Sequence, residues 1–263
     1  MSRCDIAIVT GAGSGLGRSV ALTLAELPLR VIAVGRRSDP LLMTASKSAG
    51  KVEPIAADVS TASGRSRICS ALSSATRVRF LVHAAGIHAI EPLAGITSAT
   101  WRRVLDTNVD ARLFLTLDLL PWLQPGSRVL FVGSNSATRP RQSATAYCVS
   151  QAASHMLQQC LKIELAPRGI AVGSAVPSPV DTPMIAAQIA ADPALYPDAA
   201  DYRRLRDAGQ LIAPTTVARF YRWLLTQTSA DAFSADQWNV RDESHHEHWL
   251  AGTDLHARIS DPD

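Results

Sequence analysis

The sequence predicts a single-domain α/β protein: a doubly wound parallel sheet of about seven strands with helices on both faces. Three observations carry that prediction. Short apolar runs alternate with longer segments of helical period from the start to about Val176. A glycine-rich turn follows the first run and opens the first helix. The length, 263 residues, suits one such domain with a buried core and is short for two.

In chain order, the runs "DIAIVT", "RVIAVG", "VEPIAAD", "VRFLVHAAG", "SRVLFVGS" and "IAVGSAVP" are rich in Val, Ile and Ala, end in turn residues, and read as buried strands. The longest helical segments are "TSATWRRVLDTNVDARLFLTLDLLPWL" and "TAYCVSQAASHMLQQCLKIELAP", with apolar residues three and four apart. Residues 184–213, Ala-rich with Pro, Asp and Tyr, are expected to form short helices in a mobile excursion. After them "PTTVARFYRWLLTQT" reads as a last helix and "AFSADQWNV" as a last strand, and the tail 241–263 is expected to be polar and extended.

Composition excludes more than it identifies. Hydrophobic residues at 47%, charged residues at 19% and a net charge of +3 fit a folded protein and give no footprint for nucleic acid. The opening "MSRCDIAIVTGAG" enters a strand pattern directly, and no apolar run approaches the roughly 20 residues of a membrane span, so a cytoplasmic protein is expected. Cys4, Cys69, Cys148 and Cys160 lack paired spacing, which predicts reduced, mostly buried thiols.

The turn "TGAGSGLG", Thr10 to Gly17 (with Gly11, Gly13, Ser14, Gly15 and Leu16 between), is the strongest local signal. Glycines permit positive φ and close backbone approach, and the helix start offers N–H groups to a pyrophosphate. The absence of Lys after the last glycine excludes a Walker-type loop. A carboxylate about 20 residues on would bind the ribose 2′-hydroxyl of NAD. Gly35, Arg36 and Arg37 stand there instead, and two guanidinium groups suit a 2′-phosphate, favouring NADP over NAD. The competing reading is that both arginines only solvate a loop.

With these residues assembled, the sequence resembles the short-chain dehydrogenase/reductase family from Asp5 to about Val240, which implies a Rossmann-type fold. Thr10, Gly11, Gly15 and Gly17 match its TGxxxGxG loop. Asp58, with Val59 beside it, matches an adenine-contacting aspartate, and "HAAG" (His83, Ala84, Ala85, Gly86) stands where NNAG is usual. Asn108 falls on a structural and catalytic asparagine. Ser134 lies thirteen residues before Tyr147, the spacing of the catalytic serine and tyrosine. "VPSPVDTPM" is similar to the PG segment, with Pro177, Val180 and Thr182 expected at the nicotinamide.

The departures are His83 and Ala84 for the asparagines, Ser178 for the PG glycine and Gln151 for the lysine of YxxxK. His83 is expected to be a strand-end residue bonding to backbone, and Ser178 to alter how closely its loop nears the nicotinamide. The resemblance implies hydride transfer at a carbonyl carbon, with tyrosine exchanging the proton and serine bonding the oxygen. A tyrosine starts near pKa ~10 and the family's lysine charge lowers it, whereas Gln151 brings no charge. Its amide still offers donors and an acceptor to the ribose hydroxyls. Tyr147, Gln151 and His155 share a helix face, and His155, about 12 Å from the tyrosine, is expected to be buried or at an interface.

A neutral tyrosine is already the acid that carbonyl reduction needs, so the site is expected to favour reduction. Three readings follow: an NADP(H)-dependent carbonyl reductase using Ser134, Tyr147, Asn108 and Gln151; a dinucleotide-binding sensor or partner protein with a disabled site; and a non-redox lyase or isomerase. Arg139 and Arg141 suggest an anionic or hydroxyaromatic substrate, loosely resembling dihydrodiol dehydrogenases, or are exposed loop residues. Residues 184–213 are the expected substrate lid. "ESHHEHWL" lacks the fixed spacing of a metal site, so no metal is expected, and the tail is expected to pack on a neighbouring subunit. The partners expected are a small carbonyl or alcohol substrate and a second copy of the chain, as homodimer or homotetramer, with no nucleic acid or membrane.

Overall fold

Alternate residues of the first strand face opposite cores, and that alternation organises the molecule. In the computed structural model, which describes residues 4–235, 237–250, 252 and 254–256, β1 (Cys4–Thr10) sends Ile6 and Ile8 to one face and Ala7 and Val9 to the other. All four are fully buried, as expected for a strand with helices on both sides.

The chain continues through α1 (Gly15–Ala25), β2 (Arg30–Gly35), α2 (Ser38–Ser46), β3 (Val52–Ala56), α3 (Ala62–Ser70) and β4 (Thr76–His83). Next come α4 (Ser98–Leu105), α5 (Ala111–Asp118), β5 (Arg128–Val132), α6 (Thr145–Leu165) and β6 (Ala171–Val176). The last third holds α7 (Pro183–Ala190), α8 (Asp198–Asp207), α9 (Pro214–Thr226), α10 (Ala230–Ala235) and β7 (Gln237–Asn239). The seven strands form one parallel sheet in the order β3-β2-β1-β4-β5-β6-β7. Helices α1 and α9 pack together over one face, and α3, α5 and α6 cover the other. The order reverses between β1 and β4, so a crevice opens at their carboxyl ends, where such sheets bind ligands.

Several elements differ from the sequence expectation, each for a local reason. Residues 97–123 are not one helix: a π-turn at Asp106–Asp110 separates α4 from α5, because the Asn108 side chain is drawn to the backbone of Ile87. The expected last strand is largely helix, with Phe233 of α10 buried against the sheet and only Gln237–Asn239 paired to β6. The tail is not extended through residue 250. Glu243–His248 form a 3-10 turn that buries His245, Trp249 and Leu250 against α9. His245 stacks on Phe220 at 5.0 Å, accepts at Nδ1 from Trp249 Nε1 at 2.8 Å and bonds Asn239 O through Nε2 at 3.0 Å. Residues 257–263 lie outside the described residues. None of the four cysteines is fully buried: Cys4 and Cys160 are exposed, Cys69 and Cys148 half-buried, and all four are free. No helix among the described residues is long and apolar enough to cross a membrane.

Candidate active site

At the switch point, Thr10 ends β1 with its hydroxyl turned into the fold. Oγ1 accepts from Ala84 N at 3.1 Å and Ala85 N at 3.0 Å, which ties the end of β1 to the end of β4. Gly11 follows at φ +71°, where a Cβ would come within 2.9 Å of Ala85 Cα, so this turn admits only glycine. A Cβ at Gly17 would fall 2.4 Å from Gly11 O, which fixes how tightly α1 folds onto the loop. Ser14 begins α1 in extended conformation without capping it by its side chain, so the first-turn N–H groups have no side-chain acceptor. This is the chemistry of a pyrophosphate cradle, and the residues present fit a dinucleotide.

A cavity of about 550 Å³ runs from this loop across the carboxyl ends of the strands. Every residue predicted for the site lines it except Thr10, Gly15 and Asn108. Thr10 is buried behind the loop, and Gly15, at φ +52°, lies behind the lining beside Thr182. At one end, Arg36 and Arg37 are exposed on the wall with no hydrogen bond or ion pair among the described residues. Arg18, by contrast, is held by Gly13 O at 2.6 Å and Thr44 Oγ1 at 3.2 Å. Asp58 Oδ1 accepts from Ser60 N and Oγ at 3.0 and 2.7 Å, so one carboxylate oxygen closes a turn at the cavity wall.

At the other end stand Ser134, Tyr147 and Gln151. Ser134 follows β5 and accepts from Ser136 N at 3.1 Å, which leaves its own proton to donate. Tyr147, one turn into α6, faces it. Burial pushes the phenol above its ordinary value, while the Ser134 hydroxyl and the guanidinium groups of Arg112 and Arg141 pull it part of the way back. Gln151, a turn further, is buried, and its amide has no hydrogen bond among the described residues. His155 turns away from the cavity, with Nδ1 at 3.4 Å from Gln237 Nε2.

Asn108 is fully buried and holds the site from behind. Its Oδ1 accepts from Ile87 N at 2.9 Å, while Nδ2 donates to Ile87 O at 3.0 Å and Ser150 Oγ at 2.9 Å. Ser150 Oγ in turn donates to Tyr147 O at 2.7 Å. Asn108→Ala should therefore cost about 2–4 kcal/mol, since two half-buried backbone groups of Ile87 and the buried Ser150 hydroxyl lose their partner, and chemical denaturation would measure it.

Two residues enter that the sequence reading missed, and a third, His83, stands differently from its expectation. Arg112, one turn after Asn108, is buried and lines the same cavity as Tyr147 and Gln151; a single charge in the apolar run "ARLFLTL" was the available signal. His88 stacks on Tyr147 with ring centroids 4.2 Å apart, and both its nitrogens lack partners among the described residues. Arg139 and Arg141, expected to face the substrate or lie in an exposed loop, both line the cavity; Arg141 is half-buried, bonded to Ser136 Oγ at 2.8 Å and ion-paired with Asp198 of α8, while Arg139 is exposed. His83 is buried and bonds the side chain of Thr116 at 2.9 Å, not backbone, and it does not line the cavity. Ser178 holds the glycine conformation at φ +62° and accepts from Arg241 Nε.

Burial, and then the Arg141 charge, push His88 down to about 4. A histidine held neutral in the native state stabilises fully above its unfolded value of 6.5, and that contribution is lost as pH falls from 6.5 toward 4. The difference amounts to about 3 kcal/mol at pH ~4, in the same direction as for buried His83 and His245. Urea unfolding should weaken through this window, and His88→Phe should flatten the decline.

Residues 5–192 match the family model described as short chain dehydrogenase. Over 181 residues the chain is 33% identical to the human protein dehydrogenase/reductase SDR family member 2, mitochondrial, a match covering 65% of this chain and 64% of that one. The chain thus spans just under two thirds of that relative's length. It is 32% identical over 177 residues to galactitol 2-dehydrogenase (L-tagatose-forming) of Cereibacter sphaeroides, covering 65% and 69%. Among solved structures, a putative NAD(P)-dependent gluconate 5-dehydrogenase of Beutenbergia cavernae with NADP bound at low occupancy superposes with TM-score 0.75 and 29% identity, over 95% of this chain and 98% of that one. The parallel sheet, the glycine turn at its switch point and a match over residues 5–192 lead to one conclusion: this chain belongs to the short-chain dehydrogenase family.

Proposed function

We propose that the protein is an NADP(H)-dependent oxidoreductase that interconverts a carbonyl and a secondary alcohol and is biased toward carbonyl reduction. The observation that carries this reading is a half-buried Tyr147, kept protonated, facing Ser134 at the end of a cavity that begins at the glycine turn. A bound nicotinamide would supply hydride chemistry. Ser134 would turn its proton from Tyr147 to the substrate oxygen, Tyr147 would deliver the proton, and Gln151 would hydrogen-bond the cofactor ribose in place of lysine. Asn108 keeps α6 and the end of β4 in register for them. Unpartnered Arg36 and Arg37 support a 2′-phosphate and hence NADP over NAD.

Met184, Ile185, Gln188, Tyr202 and Leu205 wall the same cavity, which supports residues 184–213 as the substrate lid. Arg141 is taken up by Asp198, which weakens the case for an anionic or dihydrodiol-type substrate bound through that arginine. Exposed Phe114 and Leu117 on α5 and Val149, Met156 and Ile163 on α6 support pairing with a second copy. The second reading, a dinucleotide-binding protein with a disabled site, rests on Gln151 alone. NADPH consumption against ketones, quinones and cyclic hydroxyketones from about pH 6 to about pH 10 separates the two. Turnover by the unmodified protein supports the reductase, whereas turnover appearing only in Gln151→Lys supports the disabled site.

A further inference from the structure

Gln151 leaves its own position without a charge, but the cavity does not lack a cation. Arg112, in the first turn of α5, lines the main cavity together with Tyr147 and Gln151, and also a small void of about 10 Å³ that it shares with Ser134, Gln151 and Ser154. It is 4% exposed. Its Nη1 donates to Val132 O at 3.1 Å and Ser154 Oγ at 2.7 Å, Nε has no partner, and no carboxylate pairs with it among the described residues. A buried guanidinium held only by neutral acceptors is costly to keep, which makes its location informative.

We propose that Arg112 is the positioning residue that supplies the positive charge acting on the Tyr147 phenol, taking over from a different helix the electrostatic part of the role that a lysine at position 151 would fill. Gln151 keeps only the hydrogen-bonding part. This deepens the reading of Tyr147 as the proton-exchanging group and rests on it.

The other groups facing Tyr147 leave Arg112 as the uncompensated cation. Arg141 also lowers the phenol, but by less than Arg112, and it is ion-paired with Asp198; Arg139 is exposed, and His88, at about 4, is uncharged at neutral pH. Cys148 and the phenols of Tyr196 and Tyr202 are not cations. Burial lowers Arg112 to about 10, with Tyr147 opposing that fall, so the guanidinium stays charged across the neutral range. In the other direction, Arg112 lowers Tyr147 against the effect of burial.

The test reads Tyr147 directly and needs neither substrate nor cofactor. The chain has four tyrosines, so ¹³Cζ-tyrosine NMR titrated to about pH 11.5, with Tyr147→Phe for assignment, follows the Tyr147 phenol apart from the other three. Tyr196 and Tyr221, which burial pushes up furthest, should stay protonated over that range. Arg112→Gln should raise its midpoint by about one pH unit or more, a tenfold loss of phenolate at fixed pH. Arg112→Lys should move it less, and adding Gln151→Lys to Arg112→Gln should bring it back. Should Arg112→Gln not fold, Arg112→Met fills the same space without a buried charge and carries the same expectation. A Tyr147 midpoint left unchanged by Arg112→Gln overturns the proposal. A shift without turnover on any substrate would sustain Arg112 and sink the reductase reading, and turnover without a shift would do the reverse.

Discussion

Tyr147→Phe lowers carbonyl reduction by about 10³-fold and leaves NADPH affinity within about twofold, because proton transfer by a placed side chain contributes on that scale. The loss should fall on kcat, since a phenyl ring keeps the packing against His88 and removes only the hydroxyl facing Ser134. The direction of reaction should show the same chemistry. Burial raises the phenol, so the acid form persists to alkaline pH and reduction should be nearly flat from about pH 6 to about pH 9. Oxidation needs the phenolate and should rise about tenfold per pH unit over that interval. Steady-state rates in both directions, with wild type and Tyr147→Phe, measure this. A wild-type oxidation rate that is flat with pH would remove Tyr147 as the titrating group.

Replacing both Arg36 and Arg37 with alanine should weaken NADPH binding by about 100-fold and change NADH binding by less than about threefold. A charge-assisted hydrogen bond contributes about 1.5–3 kcal/mol, and 2.7 kcal/mol corresponds to about 100-fold. The asymmetry arises because both guanidinium groups are exposed on the cavity wall with no internal partner, so their removal leaves no buried group unsatisfied. Fluorescence titration with each dinucleotide gives the two affinities. Equal losses for both, or none for either, would mean that the arginines merely solvate the loop after β2. Raising salt should weaken NADPH binding to the wild type more than to the double variant.

Much of the fold was legible because its signals are local. The apolar runs that became β1 to β6 carry their boundaries in their own turn residues, and the glycine spacing after β1 announces a turn that Gly11 and Gly17 enforce by close backbone contact. Elements failed where a distant contact overrode local preference. Helical period ran unbroken through Asp106–Asp110, but the Asn108 bonds to Ile87 forced the π-turn. The polar tail "ESHHEHWL" reads as solvated until Phe220 and Trp223 provide a surface on which His245 and Trp249 stack.

The sequence by itself determined the order of strands and helices, the glycine turn, the spacing of Ser134 and Tyr147, the pair of arginines after β2 and the absence of a charge at position 151. Each is a property of neighbouring residues or of chain spacing. The tertiary structure decided what surrounds that uncharged position. It brought Arg112 from another helix to the same cavity as Tyr147 and Gln151, paired Arg141 with Asp198 and set His88 against the phenol. The strength of a charge depends on distance and burial in space, which chain spacing does not encode, so the electrostatics of this site could be read only after folding.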